Sequence, residues 1–255
     1  MELPLTGERT VPGIPEENYW FRRHEAAYVA LAQHCADALV LEAGCGEGYG
    51  ADLLATVARR VIAVDYDEPA THHIQARYPA VDVLRANLAV LPIQSATIDV
   101  VASFQVIEHL WHQEGFLAEC FRVLKPGGRL LVTTPNRRTF SPGRDTPLNP
   151  YHTRELAADE LADLLIGFDV EFLGGLRHGP RLRALDAGYG GSLIEAQADV
   201  VLGHLPGQAE WPAELLADVA SITAEDFEIR ADDVDASLDL VAVARRPTRA
   251  GEAVA

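Results

Sequence analysis

The sequence predicts an α/β domain of the doubly wound kind, a mostly parallel sheet with helices on both faces, and three observations carry it. Apolar runs of strand length alternate with helical stretches from Leu39 onward. The first run, Leu39-Val40-Leu41-Glu42-Ala43, passes into the glycine-spaced turn Gly44-Cys45-Gly46-Glu47-Gly48 and directly into a helix near Tyr49. The second, Val61-Ile62-Ala63-Val64, ends in Asp65, about twenty residues beyond that turn. A chain of 255 residues with 48% hydrophobic content buries one large core, and no linker divides it.

Along the chain, Pro4, Pro12, Gly13 and Pro15 make residues 1–18 an extended arm. Residues 19–35 read as a helix. Its Trp20 and Phe21 either cover a ligand or dock on a sheet edge, and the polar Tyr19, Arg22 and His24 beside them favour a lid. The glycine turn leaves room for a ligand against the backbone, and the helix that follows offers unpaired amide donors. Its spacing is G-x-G-x-G, with Tyr49 where a dinucleotide site would place its third glycine, so a nucleotide-type ligand other than a pyrophosphate is expected. Asp65 is placed to hold two ribose hydroxyls; taken singly, the turn could be tight packing and the Asp a helix cap. His72 and His73 fall on the next helix and are expected in solvent.

Residues 134–152, dense in Pro, Gly and Asn, form a long loop leaving the carboxyl end of a strand, the edge where such sheets bind ligands. Thr153 is expected to cap an amphipathic helix, Phe168–Leu173 to be a strand, and Ser237–Ala244 the last strand. The segment between them, 177–236, is expected to carry helices near 192–203 and 212–221, either as an acceptor-binding cap or as a dimerisation lobe. Residues 247–255 are expected to fray.

The charge balance, 38 acidic against 21 basic residues, gives −17, which repels nucleic acid and anionic membranes and favours a neutral acceptor. Cys35, Cys45 and Cys120 are too few and scattered for a disulfide framework or zinc cluster, which suits a reducing cytoplasm. No leader pattern opens the sequence, and no apolar stretch nears the roughly 18 residues that span a bilayer.

Residues 39–136 resemble the class I S-adenosylmethionine-dependent methyltransferases. Beyond the turn and Asp65, the resemblance is carried by Arg85–Pro92 after the third strand, Ile98–Gln105 as the fourth, and Leu124-Lys125-Pro126-Gly127-Gly128 entering the fifth. It implies a Rossmann-like sheet of seven strands with an antiparallel last strand, and the helical insert before that strand, about sixty residues, is far longer than the hairpin usual in this fold. It also implies S-adenosylmethionine as cofactor, met by Glu42, Gly44, Gly46, Gly48, Asp65, Tyr66, Asn87, Leu88 and Gln105, with Tyr19 and Arg22 over its methionine end. Asn87 stands where many members have Asp, and its amide still suits an adenine edge. A closer resemblance, through Gly7-Glu8-Arg9-Thr10, residues 17–24, 139–145 and 237–240, is to an actinobacterial group associated with mycobacterial methylglucose lipopolysaccharides.

Transfer to a hydroxyl needs a base, and His109, in Gln105-Val106-Ile107-Glu108-His109, follows the fourth strand where an acceptor approaches, with Glu108 to orient it. A histidine closing a helix start is the other reading. His152 is the second candidate, placed before a helix N-terminus that would lower its pKa, or else capping that helix. His178, Arg181, Arg144 and Tyr151 are candidate acceptor contacts, or ordinary surface polarity. Asp145, His109 and His152 look too scattered for a metal, so none is expected. The expected function is O-methylation of a sugar hydroxyl on an intracellular glucan or its precursor. A small aromatic, quinone or lipid acceptor, or a cofactor-binding module without catalysis, are the alternatives.

Overall fold

The structure, a computed structural model, describes residues 9–202 and 210–248. Gly7 and Glu8 of the arm, Gly203 of the expected insert helix and the tail beyond Thr248 lie outside the described residues. Eight strands form one sheet among the described residues: β1 Leu39–Ala43, β2 Arg60–Asp65, β3 Val81–Arg85, β4 Ile98–Phe104, β5 Leu124–Pro135, β6 Asp169–His178, β7 Phe227–Arg230 and β8 Asp239–Arg245. Their order is β3-β2-β1-β4-β5-β8-β6-β7. The five from β3 to β5 are parallel, and β8 inserts antiparallel between β5 and β6. The sheet has one strand more than the seven expected, because residues 227–230 of the insert add β7 antiparallel to the outer edge of β6.

Nine α-helices accompany these strands among the described residues: α1 Asn18–Leu31, α2 Tyr49–Ala55, α3 Glu68–Arg77, α4 Gln113–Val123, α5 Arg137–Phe140, α6 Ala158–Leu164, α7 Pro180–Gly188, α8 Leu193–Leu202 and α9 Ala213–Ala220. Strand interiors such as Val40–Ala43 are buried without alternation because both sheet faces are covered. Tyr28, Leu54, Ile74, Val100 and Leu131 belong to one core, and Leu41, Val101, Phe116, Leu124 and Leu161 to the other. No described helix is long and apolar enough to cross a membrane.

Two details position the site. The expected cap at Thr153 is not one: α6 starts only at Ala158, where the Glu160 carboxylate accepts the Ala157 N–H at 2.8 Å. Thr153 instead donates its hydroxyl to the carbonyls of Leu110 at 2.8 Å and Glu108 at 3.1 Å, tying the long loop to the segment after β4. The insert packs behind α1, where the Asn18 amide donates to the carbonyls of Val219 and Ile222, both at 2.9 Å. Arg23 forms a buried ion pair with Asp239 of β8 at 2.6 Å. Helix α1 is thereby fixed over the carboxyl ends of β1 and β4.

Candidate functional site

β1 lies between β2 and β4, where the winding of the sheet reverses, so a crevice opens above its carboxyl end. Gly44 and Gly46 of the glycine turn line it, while Gly48 packs against Ile74 and Tyr78 and, like Glu42, does not reach it. Gly44 and Gly48 hold φ of +82° and +100°, and a Cβ on either would come within 2.6 Å of Val106 or 2.5 Å of Ile74, so both need glycine. Asp65, ending β2, accepts the N–H of Gly46 at 2.8 Å and of Asp67 at 2.9 Å, which locks its carboxylate at the cleft edge. Tyr66, Asn87, Leu88, Val106 and Leu110 line the same cleft. Asn87 Oδ1 accepts the Ala89 N–H at 2.9 Å, which fixes its amide.

These residues fit a nucleoside: a carboxylate for vicinal hydroxyls, apolar walls for a flat base, and a turn that admits close approach. Beneath the turn, Glu42 accepts the Tyr28 hydroxyl at 2.6 Å through Oε1, while its buried Oε2 has no protein partner. Burial pushes its pKa up to about 8.

A second chamber of about 320 Å³ continues the cleft, sharing Arg9, Gly44, Gly46, Gln105 and His109 with it. Its walls come from the arm, α1, the segment after β4 and the long loop, including Trp20, His24, Glu108, Phe140, Asn149 and His152. Gln105 sits at the junction with φ of +57°, a strained conformation for a residue with a side chain, held by its N–H to the Thr133 carbonyl at 2.9 Å.

His109 donates from Nδ1 to the Tyr151 carbonyl at 3.0 Å, which leaves Nε2 as a bare lone pair. Burial, with a contribution from His152, lowers its pKa and keeps it neutral. Glu108 is buried, its Oε2 accepting the Thr134 hydroxyl at 2.9 Å and its Oε1 lying 4.0 Å from His109 Nε2. Burial raises its pKa to about 8. His152 meets Glu155 through Nδ1 at 2.7 Å and the Asn149 amide through Nε2 at 3.1 Å. Both its nitrogens are engaged, and the helix expected to act on it begins only at Ala158, so His109 is the better-placed base. His24 is driven to a pKa of about 4, chiefly by burial, and its Nδ1 meets the Thr10 hydroxyl at 3.3 Å.

Of the residues singled out from sequence, Gly44, Gly46, Asp65, Tyr66, Asn87, Leu88, Gln105, Glu108, His109 and His152 line this one continuous cleft. Others do not reach it. Tyr19 is fully buried and meets His178 at 2.8 Å, and Arg22 pairs with Glu25 at 2.5 Å on the outer side of α1. His178 also meets Asp186 at 2.9 Å and so joins β6 to α7, and Arg181 pairs with Asp226, tying α7 to the turn before β7. Arg144 is exposed on the loop, and Tyr151 contributes only its carbonyl. His73, expected in solvent, instead meets the buried Glu47 at 2.7 Å; His72 is exposed. No described residue of 177–236 lines either chamber, and the described part of the insert packs behind α1.

Sequence reasoning missed Arg9, Thr10, Phe140 and Asn149. Arg9 lines both chambers and pairs with Asp67 at 2.8 Å, and Thr10 also meets the Tyr49 hydroxyl at 3.1 Å. Their signal was the Gly7-Glu8-Arg9-Thr10 motif, which a proline-rich arm gave no reason to place on the site.

Comparison with known proteins agrees with this geometry. A family model described as a methyltransferase domain matches residues 41–132. A probable S-adenosylmethionine-dependent methyltransferase of Mycolicibacterium smegmatis is 61% identical over 250 residues, 96% of both chains. Another, from Mycobacterium tuberculosis, is 60% identical over 251 residues, 96% of this chain and 90% of that one. A solved S-adenosylmethionine-dependent methyltransferase from Mesorhizobium loti shares the fold, with a TM-score of 0.56 at 18% identity, covering 88% of this chain and 98% of its own. With a nucleoside cleft at the sheet's switch point and relatives alike over almost the whole length, the chain belongs to the S-adenosylmethionine-dependent methyltransferases.

Proposed function

We propose that this methyltransferase acts on a hydroxyl of a carbohydrate, on an intracellular glucan or its precursor, with His109 as the base. The observation that carries the reading is the tautomer of His109. Its Nδ1–H is committed to the Tyr151 carbonyl, so Nε2 faces the second chamber as an acceptor. S-adenosylmethionine, when bound, supplies a methyl group on a sulfonium. The cofactor's sulfonium would give up the methyl group and leave as a neutral thioether, while His109 Nε2 would take the proton of the acceptor hydroxyl and become imidazolium.

The chamber suits a sugar. Trp20 and Phe140 offer ring faces, while Gln105, Asn149 and His24 offer amide and imidazole groups that exchange hydrogen bonds with hydroxyls. Arg23, the cation deepest in it, is held by Asp239, and the net charge of −17 disfavours a phosphorylated acceptor. Gly44, Gly46, Asp65, Tyr66, Asn87 and Leu88 hold the nucleoside in this reading, with Gln105 at the amino-acid end. Helix α1, held from behind by the described part of the insert, roofs the second chamber through Trp20, Arg23 and His24.

Incubating the protein with methyl-labelled cofactor and a panel of gluco- and manno-oligosaccharides tests this directly. Label in an oligosaccharide, lost in His109→Ala, is the expected result. Label only in phenolic, quinol or lipid acceptors overturns the sugar assignment. Binding of S-adenosylhomocysteine with no transfer to any acceptor overturns catalysis.

A further inference from the structure

Three donor atoms meet on the acceptor side of the cleft although they come from segments more than forty positions apart in sequence. One donor atom each from Glu108, His109 and His152 lies within 4.8 Å of the other two. The two imidazoles stand nearly perpendicular, 4.9 Å between centroids, and Glu108 Oε1 is 4.0 Å from His109 Nε2.

The hydrogen bonds around this cluster point the same way. His109 is fixed through Nδ1 to a carbonyl, Tyr151, and His152 through Nδ1 to the buried carboxylate of Glu155 at 2.7 Å. An imidazole oriented by such a bond presents Nε2 as a ligand, and histidines that bind metals are almost always held in this way. Asn149 confirms the state of His152. Its Oδ1 accepts the Tyr151 N–H at 2.9 Å, so the group 3.1 Å from His152 Nε2 is the amide NH₂, and that nitrogen carries a lone pair. Glu108 is oriented in turn by the Thr134 hydroxyl.

We propose that Glu108, His109 and His152 form a site for a divalent cation of the zinc class, open on its remaining side to the acceptor chamber. Two imidazoles and one carboxylate select zinc, cobalt or iron(II) over magnesium or calcium, which prefer oxygen-only sets. Bonds of about 2.0–2.2 Å require the three atoms to draw together, which side-chain rotation and a turn of the Asn149 amide away from His152 accomplish. The inference rests on the reading of this chamber as the place where the acceptor is deprotonated. The cation takes the same Nε2 lone pair that accepts the acceptor's proton, so occupancy suppresses methyl transfer.

The test starts from protein stripped with a chelator. Zinc is titrated in by calorimetry and cobalt by visible absorption, and labelled methyl transfer is measured at each step. One equivalent of either metal is expected to bind, with the intense d–d bands of low-coordinate cobalt. Zinc is expected to abolish transfer, and chelator to restore it. His152→Ala and Glu108→Gln should lose the cobalt spectrum while still binding S-adenosylhomocysteine, which shows that they fold. Equal zinc and cobalt binding by wild type and His152→Ala, beside an active stripped enzyme, overturns the metal site and leaves His109 as the base. A stripped enzyme that is inert until zinc is added overturns suppression by the cation and the free-imidazole mechanism with it.

Discussion

The two halves of the cleft are built on different plans. On the proposed cofactor side, Gly44, Gly46, Asp65, Asn87 and Leu88 stand at or just beyond the ends of β1, β2 and β3, on backbone fixed by parallel pairing. On the acceptor side the chamber is assembled from Thr10, Trp20, His24, Glu108, His109, Phe140, Asn149 and His152, whose neighbours in space are remote in sequence. One side is held by sheet register. The other is held by individual polar contacts: Thr153 to Leu110, the buried pair of Arg23 and Asp239, and His109 to Tyr151. A strand-end site is therefore robust to loop changes, whereas a loop-built chamber is free to differ between relatives and changes with single contacts.

The sharpest way to break that comparison is at the base. His109→Ala should lower transfer by about 10²–10⁴-fold with S-adenosylhomocysteine affinity unchanged in calorimetry. A parallel loss of cofactor affinity would mean that the two halves are not separable. Next in size, Asp239→Ala leaves Arg23 buried without its counter-ion and should cost about 3–5 kcal/mol in chemical denaturation. Its activity should fall through loosening of α1, with KM for the acceptor rising more than the Kd for cofactor. Equal effects on both would place α1 over the cofactor as much as over the acceptor.

The same division decides what could be read from sequence. The glycine turn and Asp65 were legible because strand, turn and strand-end carboxylate are local signals whose spacing fixes their meeting point. His109 and Glu108 were legible for the same reason, as the segment leaving β4. Tyr19 and Arg22 misled because a helix's polar residues say nothing about which face meets the cleft. Tyr19 turns into the insert and Arg22 to the outside, while Trp20 and His24 face the chamber. The lone polarity of His178 and Arg181 likewise cannot show that Asp186 and Asp226 wait for them across the insert. The eighth strand was hidden because Phe227–Arg230 is too short to signal itself without β6 beside it.

Glu42 tests the floor beneath the cofactor side. Its carboxyl is raised to about 8 by burial, so the folded protein keeps a proton there that the unfolded chain releases above the ordinary carboxylate range. The stability this group contributes is whole below about pH 4.5 and is lost as pH rises through about 8. Glu42→Gln, which cannot ionise, should therefore gain on the wild type in denaturation midpoint between pH 5 and 8. A difference that does not change with pH would show that Glu42 is already ionised in the folded state. Asp65→Ala should weaken S-adenosylhomocysteine binding by about 10–100-fold, the worth of one or two charge-assisted hydrogen bonds. The cobalt spectrum of the acceptor side should remain intact, since Asp65 and His152 share no contact.

Tyr19→Phe makes the smallest change and separates the two plans most cleanly. The hydroxyl is fully buried and meets His178 Nε2 at 2.8 Å, while His178 Nδ1 faces Asp186 at 2.9 Å. With Nδ1–H given to the carboxylate, Nε2 must accept from the tyrosine, so phenylalanine removes one hydrogen bond and orphans one acceptor. The ring keeps its packing against Trp20 and Phe227, at centroid distances of 5.1 and 5.8 Å. Stability should fall by about 1 kcal/mol, with cofactor affinity and turnover within twofold of wild type. A tenfold loss of cofactor affinity at unchanged stability would place Tyr19 on the ligand, and would mean that α1 reaches the cofactor directly and not through Trp20 and the chamber wall.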